Sequence, residues 1–149
     1  MIADIIVHGR DGNLQLVVEI KNKLDATPEW ASRFRRNLLV HAMLPDAPFF
    51  LLALPDAFYF WKSAGPISQS APPDFWSPVA SFFAAHPEKA LSSLEGISEQ
   101  GLHLLVASWL EELIHSNESV PFGTETQWLV ESGLISAIQG GSVRDEVLV

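Results

Sequence analysis

Ala3-Asp4-Ile5-Ile6-Val7 and, after an intervening turn, Val17-Val18-Glu19-Ile20-Lys21 decide how this chain reads. Each is a short apolar run that carries a carboxylate. Side chains alternate faces along a strand, so Glu19 and Lys21 project to one side while Val18 and Ile20 project to the other. Between the runs, Gly9-Arg10-Asp11-Gly12-Asn13 is rich in turn formers, and Asp-Gly is a strong hairpin signal. The pattern predicts strands over residues 3–8 and 14–22, with Asp4 brought close to Glu19 across the hairpin. Two carboxylates can hold a divalent cation, and a nearby lysine can orient a water or offset charge developing on a phosphate. The same Glu-x-Lys pattern also occurs on the wet face of ordinary antiparallel sheets, where such a pair is worth only ~0.2–1 kcal/mol.

Downstream, Thr27-Pro28-Glu29 opens a helix: Thr27 caps, Pro28 fits the first position, and Glu29 favours the positive end of the dipole. Trp30, Phe34, Leu38 and Ala42 recur every four residues as its apolar stripe, with Arg33, Arg35 and Arg36 among them. Pro45 ends that helix. Phe49-Phe50-Leu51-Leu52-Ala53-Leu54 then reads as a buried strand, and Phe58-Tyr59-Phe60-Trp61-Lys62 as another after the Pro55-Asp56 turn. Residues 63–78, with four prolines, read as a loop, followed by a short helix over 79–85. A long helix is expected over 99–115, capped by Ser98, and a last one over 125–138, opened by capping-box spacing at Thr124–Gln127 and stopped by Gly140-Gly141. Residues 142–149 suit an edge strand or a tail.

The length of 149 residues suits one domain with a sizeable core, and 48% apolar residues with five Trp and nine Phe argue for a folded chain. No apolar run approaches the ~20 residues of a membrane-spanning helix, and the start lacks the basic and apolar regions of a secretion signal. Without cysteine there is neither a disulfide nor a thiolate metal site, and a cytoplasmic location is expected. The five histidines make no zinc-enzyme spacing; His8 alone shares the alternation parity of Asp4. The net charge of −9 opposes tight nucleic-acid binding. Its distribution is uneven, however: Arg10, Lys21, Lys23, Arg33, Arg35, Arg36 and Lys62, seven of the nine basic residues, lie within the first 62.

Asp4 after Ile2-Ala3, and Glu19-Ile20-Lys21 with fourteen residues between Asp4 and Glu19, resemble the PD-(D/E)xK nuclease superfamily, the restriction-endonuclease-like proteins. The resemblance covers residues 3–62, with the strand, turn, strand and helix in the expected order. It implies an α/β fold: a restriction-endonuclease-like mixed β-sheet with a crossover helix over residues 1–62, then a loop over 63–78 and a mainly helical part over 79–149, all as one domain. It further implies a nuclease that hydrolyses DNA phosphodiesters with Mg²⁺ or Mn²⁺. Asp4, Glu19 and the Ile20 carbonyl would ligate the metal. Lys21 would act on the attacking water, and Arg33 and Arg36 are the candidates for nucleic-acid contact.

Superfamily cores usually begin with a helix before the aspartate strand, whereas three residues precede Asp4 here. The first strand is therefore expected to be prone to fraying. The missing helix would come from a homo-oligomeric mate or a partner subunit, and DNA binding by the monomer would be weak. A non-catalytic domain of the same fold, mediating protein association or serving as a subunit of a larger nuclease or defence complex, is the alternative.

Overall fold

The hairpin forms where Asp11 and Gly12 direct it. The computed structural model describes residues 2–41, 47–62, 71–79, 96–115 and 127–148. Strands β1 (Ile2–His8) and β2 (Leu14–Ile20) pair antiparallel, with Ile5 opposite Val18 and Val7 opposite Leu16. The turn is locked by Asp11, whose carboxylate accepts from the Asn13 amide at 3.0 Å and from the Asn13 side chain at 2.9 Å. A bulge between Val7 and His8 absorbs one residue of β2.

Helix α1 (Pro28–Val40) starts as its sequence dictates, with Thr27 Oγ1 accepting from the Trp30 amide at 3.1 Å and proline in the first turn. It returns the chain to β3 (Phe49–Ala53), which lies parallel to β2, so α1 is a crossover helix. Strands β4 (Ala57–Lys62) and β5 (Phe75–Pro78) follow, both in antiparallel pairings. Helices α2 (Glu99–His115), α3 (Trp128–Glu131) and α4 (Leu134–Ile138) precede β6 (Ser142–Leu148). The fold is therefore α/β, with a six-stranded mixed sheet in the order β5-β4-β3-β2-β1-β6.

Both faces of the sheet are covered. Phe49, Leu51 and Ala53 of β3 join Phe58, Phe60 and the inward residues of α2, α3 and α4. Phe50 and Leu52 alternate to the other face, where Tyr59 and Trp61 meet Ala31, Phe34 and Leu38 of α1. A strand buried on both sides reads as a continuous apolar run, which is why residues 49–54 carry no polar residue. Each large apolar side chain so buried stabilises the fold by ~1.5–3 kcal/mol. The aromatic run of β4 is core, as its composition indicates, with Phe58 against Trp109 at 5.3 Å and Phe60 against Trp128 at 4.7 Å between ring centroids.

Three expectations are revised. Residues 75–78 are not loop but strand, pairing with β4. The helix expected over 125–138 is two helices, because Gly133 takes a left-handed φ of 87° between them. The last segment, expected as an edge strand or a tail, is the edge strand. And β1 is held on both sides, by β2 and by β6 from Ile2 opposite Leu148 to His8 opposite Ser142, so the sheet ties it down rather than leaving it to fray. The helix expected over 79–85 beyond Val79, the Thr124 capping box, Ala42 and Pro45 lie outside the described residues. Among the described residues, no helix is long and apolar enough to cross a membrane.

Candidate active site

The far end of the hairpin, away from its turn, gathers the predicted site residues. Asp4 is half-buried near the start of β1, and one of its carboxylate oxygens accepts from the Ile20 amide at 2.8 Å. That bond continues the ladder with a side chain where the strand pairing stops, and it fixes the Asp4 carboxylate beside the end of β2. Glu19, on the adjacent strand, places its carboxyl beside that of Asp4, near enough for each to act on the other's charge. The two acids therefore form a contact pair.

The pairing governs the charge of Glu19. Burial pushes its carboxyl up to about 8, and the neighbouring Asp4 charge and their side-chain hydrogen bond push in the same direction. The Asp4 backbone and the Lys21 ammonium oppose the shift without cancelling it. Two carboxylates this close cannot both ionise cheaply: one proton is shared, or a cation takes its place.

Lys21 lies one residue beyond β2, its amide donating to the Ala53 carbonyl at 3.2 Å. Its side chain is exposed and places Nζ 5.6 Å from the centre of the Phe34 ring on α1. Lys23 sits likewise 4.9 Å over Trp30, and Trp30 stacks on Phe34. The two lysines are thus steered along an aromatic ledge on the first turns of the crossover helix, and Lys21 remains near enough to Glu19 to act on its charge.

Arg33 and Arg36 are exposed on α1. Arg33 borders a shallow depression with Pro28, Ser32 and Pro72, a segment that leads into β5 on the far side of the sheet from β1. The arginine that turns inward is Arg35. It is 8% exposed, lies 5.4 Å from the Trp61 ring and 5.9 Å from that of Phe50, and its Nε has no hydrogen-bond partner among the described residues. Burial lowers its pKa, and the charge of Asp74 acts in the opposite direction.

On the α2 side, an open cleft of about 620 Å³ leads to Asp4, bounded by Ile20, Glu99, His103, Leu104 and Asp145. Ser98 caps α2, its hydroxyl accepting from the Gly101 amide at 2.9 Å, which sets the first turn of the helix over this cleft. His103 Nε2 stands 3.4 Å from Asp145 Oδ1. Nothing local in the sequence marks His103, because its acidic neighbour comes from the last strand.

Among the described residues, no group of three or more His, Asp or Glu side chains is spaced to hold a metal ion. The donor set is nevertheless of the kind Mg²⁺ accepts, since that ion is commonly held by one or two carboxylates with water and substrate oxygens completing the shell. Asp4 and Glu19 supply those two. No family model matches the chain, no curated protein matches it, and no solved structure matches it.

Proposed function

We propose that the chain is a Mg²⁺- or Mn²⁺-dependent nuclease of restriction-endonuclease-like architecture, acting on DNA phosphodiesters. The observation that carries this reading is the contact between the Asp4 and Glu19 carboxyl groups, with Lys21 two residues on from Glu19. The β1-β2-α1-β3-β4 order, with its single parallel pairing across α1, supports the same reading.

In this mechanism Asp4 and Glu19 would hold the cation, with the Ile20 carbonyl as a further donor. The bound ion supplies Lewis acidity and neutralises charge on the scissile phosphate. Lys21 orients the attacking water and stabilises the negative charge that grows on the phosphoryl oxygens. Water forms the new oxygen–phosphorus bond while the bond to the leaving oxygen breaks; the water proton passes to solvent, and the leaving oxygen takes a proton from solvent to become the free hydroxyl. The proton on Glu19 must leave before the cation enters, so binding and deprotonation are coupled.

The test is cleavage of supercoiled plasmid and of single-stranded DNA with Mg²⁺ or Mn²⁺, comparing the wild type with Lys21→Ala and Glu19→Gln. Metal-dependent cleavage lost in both folded variants is the expected result. Cleavage that persists in both would place the activity elsewhere.

A second reading, an association domain or a subunit of a larger nuclease or defence complex in the cytoplasm, is favoured by exposed apolar side chains. Leu104 is 62% exposed at the mouth of the Asp4 cleft, and Trp76 is 54% exposed on the edge strand β5. This reading expects a homo-oligomer or a complex with a partner subunit. A monomer at high concentration in light scattering would remove the homo-oligomer.

A further inference from the structure

Opposite the carboxylate end, the turn end of the hairpin carries cations. His8, Arg10 and Arg144 line one open cleft of about 420 Å³ together with Gly140, Gly141 and Ser142. Arg10 also borders a second cleft of about 430 Å³ beside Gln15 and Ser136, so its side chain forms the wall between the two. For a chain of net charge −9 this convergence is unusual: two of its nine Lys and Arg residues and one of its five His share a single depression.

The backbone is shaped to bring Arg10 there. Gly140 has a left-handed φ of 74°, and a Cβ added to it would lie 2.7 Å from Arg10 Nε and 2.9 Å from an Arg10 Nη. The guanidinium edge that carries Nε and one Nη therefore lies against Gly140, in space that a side chain there would fill. Its neighbour in sequence, Asp11, lines the second cleft beside it, with both carboxylate oxygens accepting from Asn13. Among the described residues, neither Arg10 nor Arg144 forms an ion pair; the pairs present join His103 to Asp145 and His115 to Glu111.

Register places this cleft on the track of the proposed active site. Asp4 and His8 lie at the two ends of β1, and β6 sets Arg144 opposite Ile6 and Ser142 opposite His8. Arg144 therefore stands midway between the carboxylate end and the turn end. Four residues of strand separate Asp4 from His8, about 13 Å at the usual rise.

We propose that His8, Arg10 and Arg144 form a binding site for the phosphodiester backbone of DNA, holding phosphates adjacent to the one presented to Asp4 and Glu19. The proposal rests on the nuclease reading for its choice of ligand, while the site itself stands on its own geometry. A preplaced guanidinium offers two parallel N–H donors to a phosphate, the pairing for which arginine is best suited. The cleft also differs from Arg33 and Arg36 as the nucleic-acid contact, since those lie on α1 away from β6.

The test is fluorescence anisotropy with a labelled oligothymidylate in EDTA, where cleavage cannot occur. The Arg10→Gln/Arg144→Gln double variant is expected to bind at least about ten-fold more weakly than the wild type, with the salt slope reduced by about two. The Arg10→Lys/Arg144→Lys variant retains most of the affinity, which separates lost charge from a damaged fold, and Arg33→Gln/Arg36→Gln measures the share of α1 separately. Unchanged affinity in the first variant, or a loss confined to the Arg33 and Arg36 variant, overturns the site, as does wild type that binds no oligonucleotide. Binding that depends on Arg10 and Arg144 in a wild type that cleaves nothing with Mg²⁺ or Mn²⁺ would overturn the catalytic reading while supporting this site.

Discussion

Glu19 lies beside Asp4 at the end of the β1–β2 hairpin, and burial, reinforced by the Asp4 charge, pushes its carboxyl up to about 8. A contact of this kind is a source of instability that a cation can relieve.

Glu19 makes stability fall as pH rises. Its folded pKa lies above the unfolded value, so between about 4.5 and 8 the folded state holds a proton that the unfolded state has released. Folding is penalised progressively through that window and fully above it. Glu19→Gln removes the penalty, and is expected to stabilise the protein at about pH 9 by on the order of 2 kcal/mol after allowing for solvent screening, with little change at about pH 4. Denaturant unfolding at the two pH values measures this. An equal effect at both would mean that the carboxyl pair does not titrate as described.

Divalent cations should act against the same penalty. Mg²⁺ or Mn²⁺ is expected to raise the melting temperature more at about pH 9 than at about pH 6, since the metal competes with the Glu19 proton. Asp4→Asn should abolish the shift. A melting temperature indifferent to both metals at either pH would end the metal-site reading.

Lys21→Ala separates chemistry from folding. The side chain is exposed, with Nζ 5.6 Å from the centre of the Phe34 ring, so its removal should cost about 0.5–1 kcal/mol or less. Cleavage, by contrast, is expected to fall at least about 100-fold. Unfolding curves and plasmid cleavage on the same preparation check both halves.

Ser77 anchors the helical layer to the sheet. Its buried hydroxyl accepts from Trp128 Nε1 at 2.6 Å, joining β5 to α3. Ser77→Ala leaves a buried indole N–H with a lost partner, at a cost of about 1–3 kcal/mol. Near-UV circular dichroism and denaturant unfolding would register it; an unchanged midpoint would mean the indole has found another acceptor.

The hairpin and the crossover unit were legible because their signals are local. Asp11-Gly12 sets the turn, Thr27-Pro28 sets the helix start, and the apolar runs at 49–54 and 58–61 can only be buried. The carboxylate pair followed from the same hairpin. What escaped the sequence depends on distant partners. Phe75–Pro78 is a four-residue strand ending in proline, recognisable only beside β4. Ser132-Gly133 sits inside a helical pattern that tolerates glycine, and only the backbone turn at Gly133 divides it. Arg35 looks like its exposed neighbours until Phe50 and Trp61 cover it. The cleft of His8, Arg10 and Arg144 needs β6 beside β1, a contact between residues more than 130 apart in the chain.

That last pairing also has a mechanical meaning. Ile2 faces Leu148 at the same end of an antiparallel ribbon, so a pull applied at these two residues loads one hydrogen-bonded rung at a time. The sheet would unzip from this corner at low force instead of shearing as a whole, and Asp4 sits two residues in. Traction on a tether or a fused domain attached there would therefore reach the carboxylate pair before any other part of the fold.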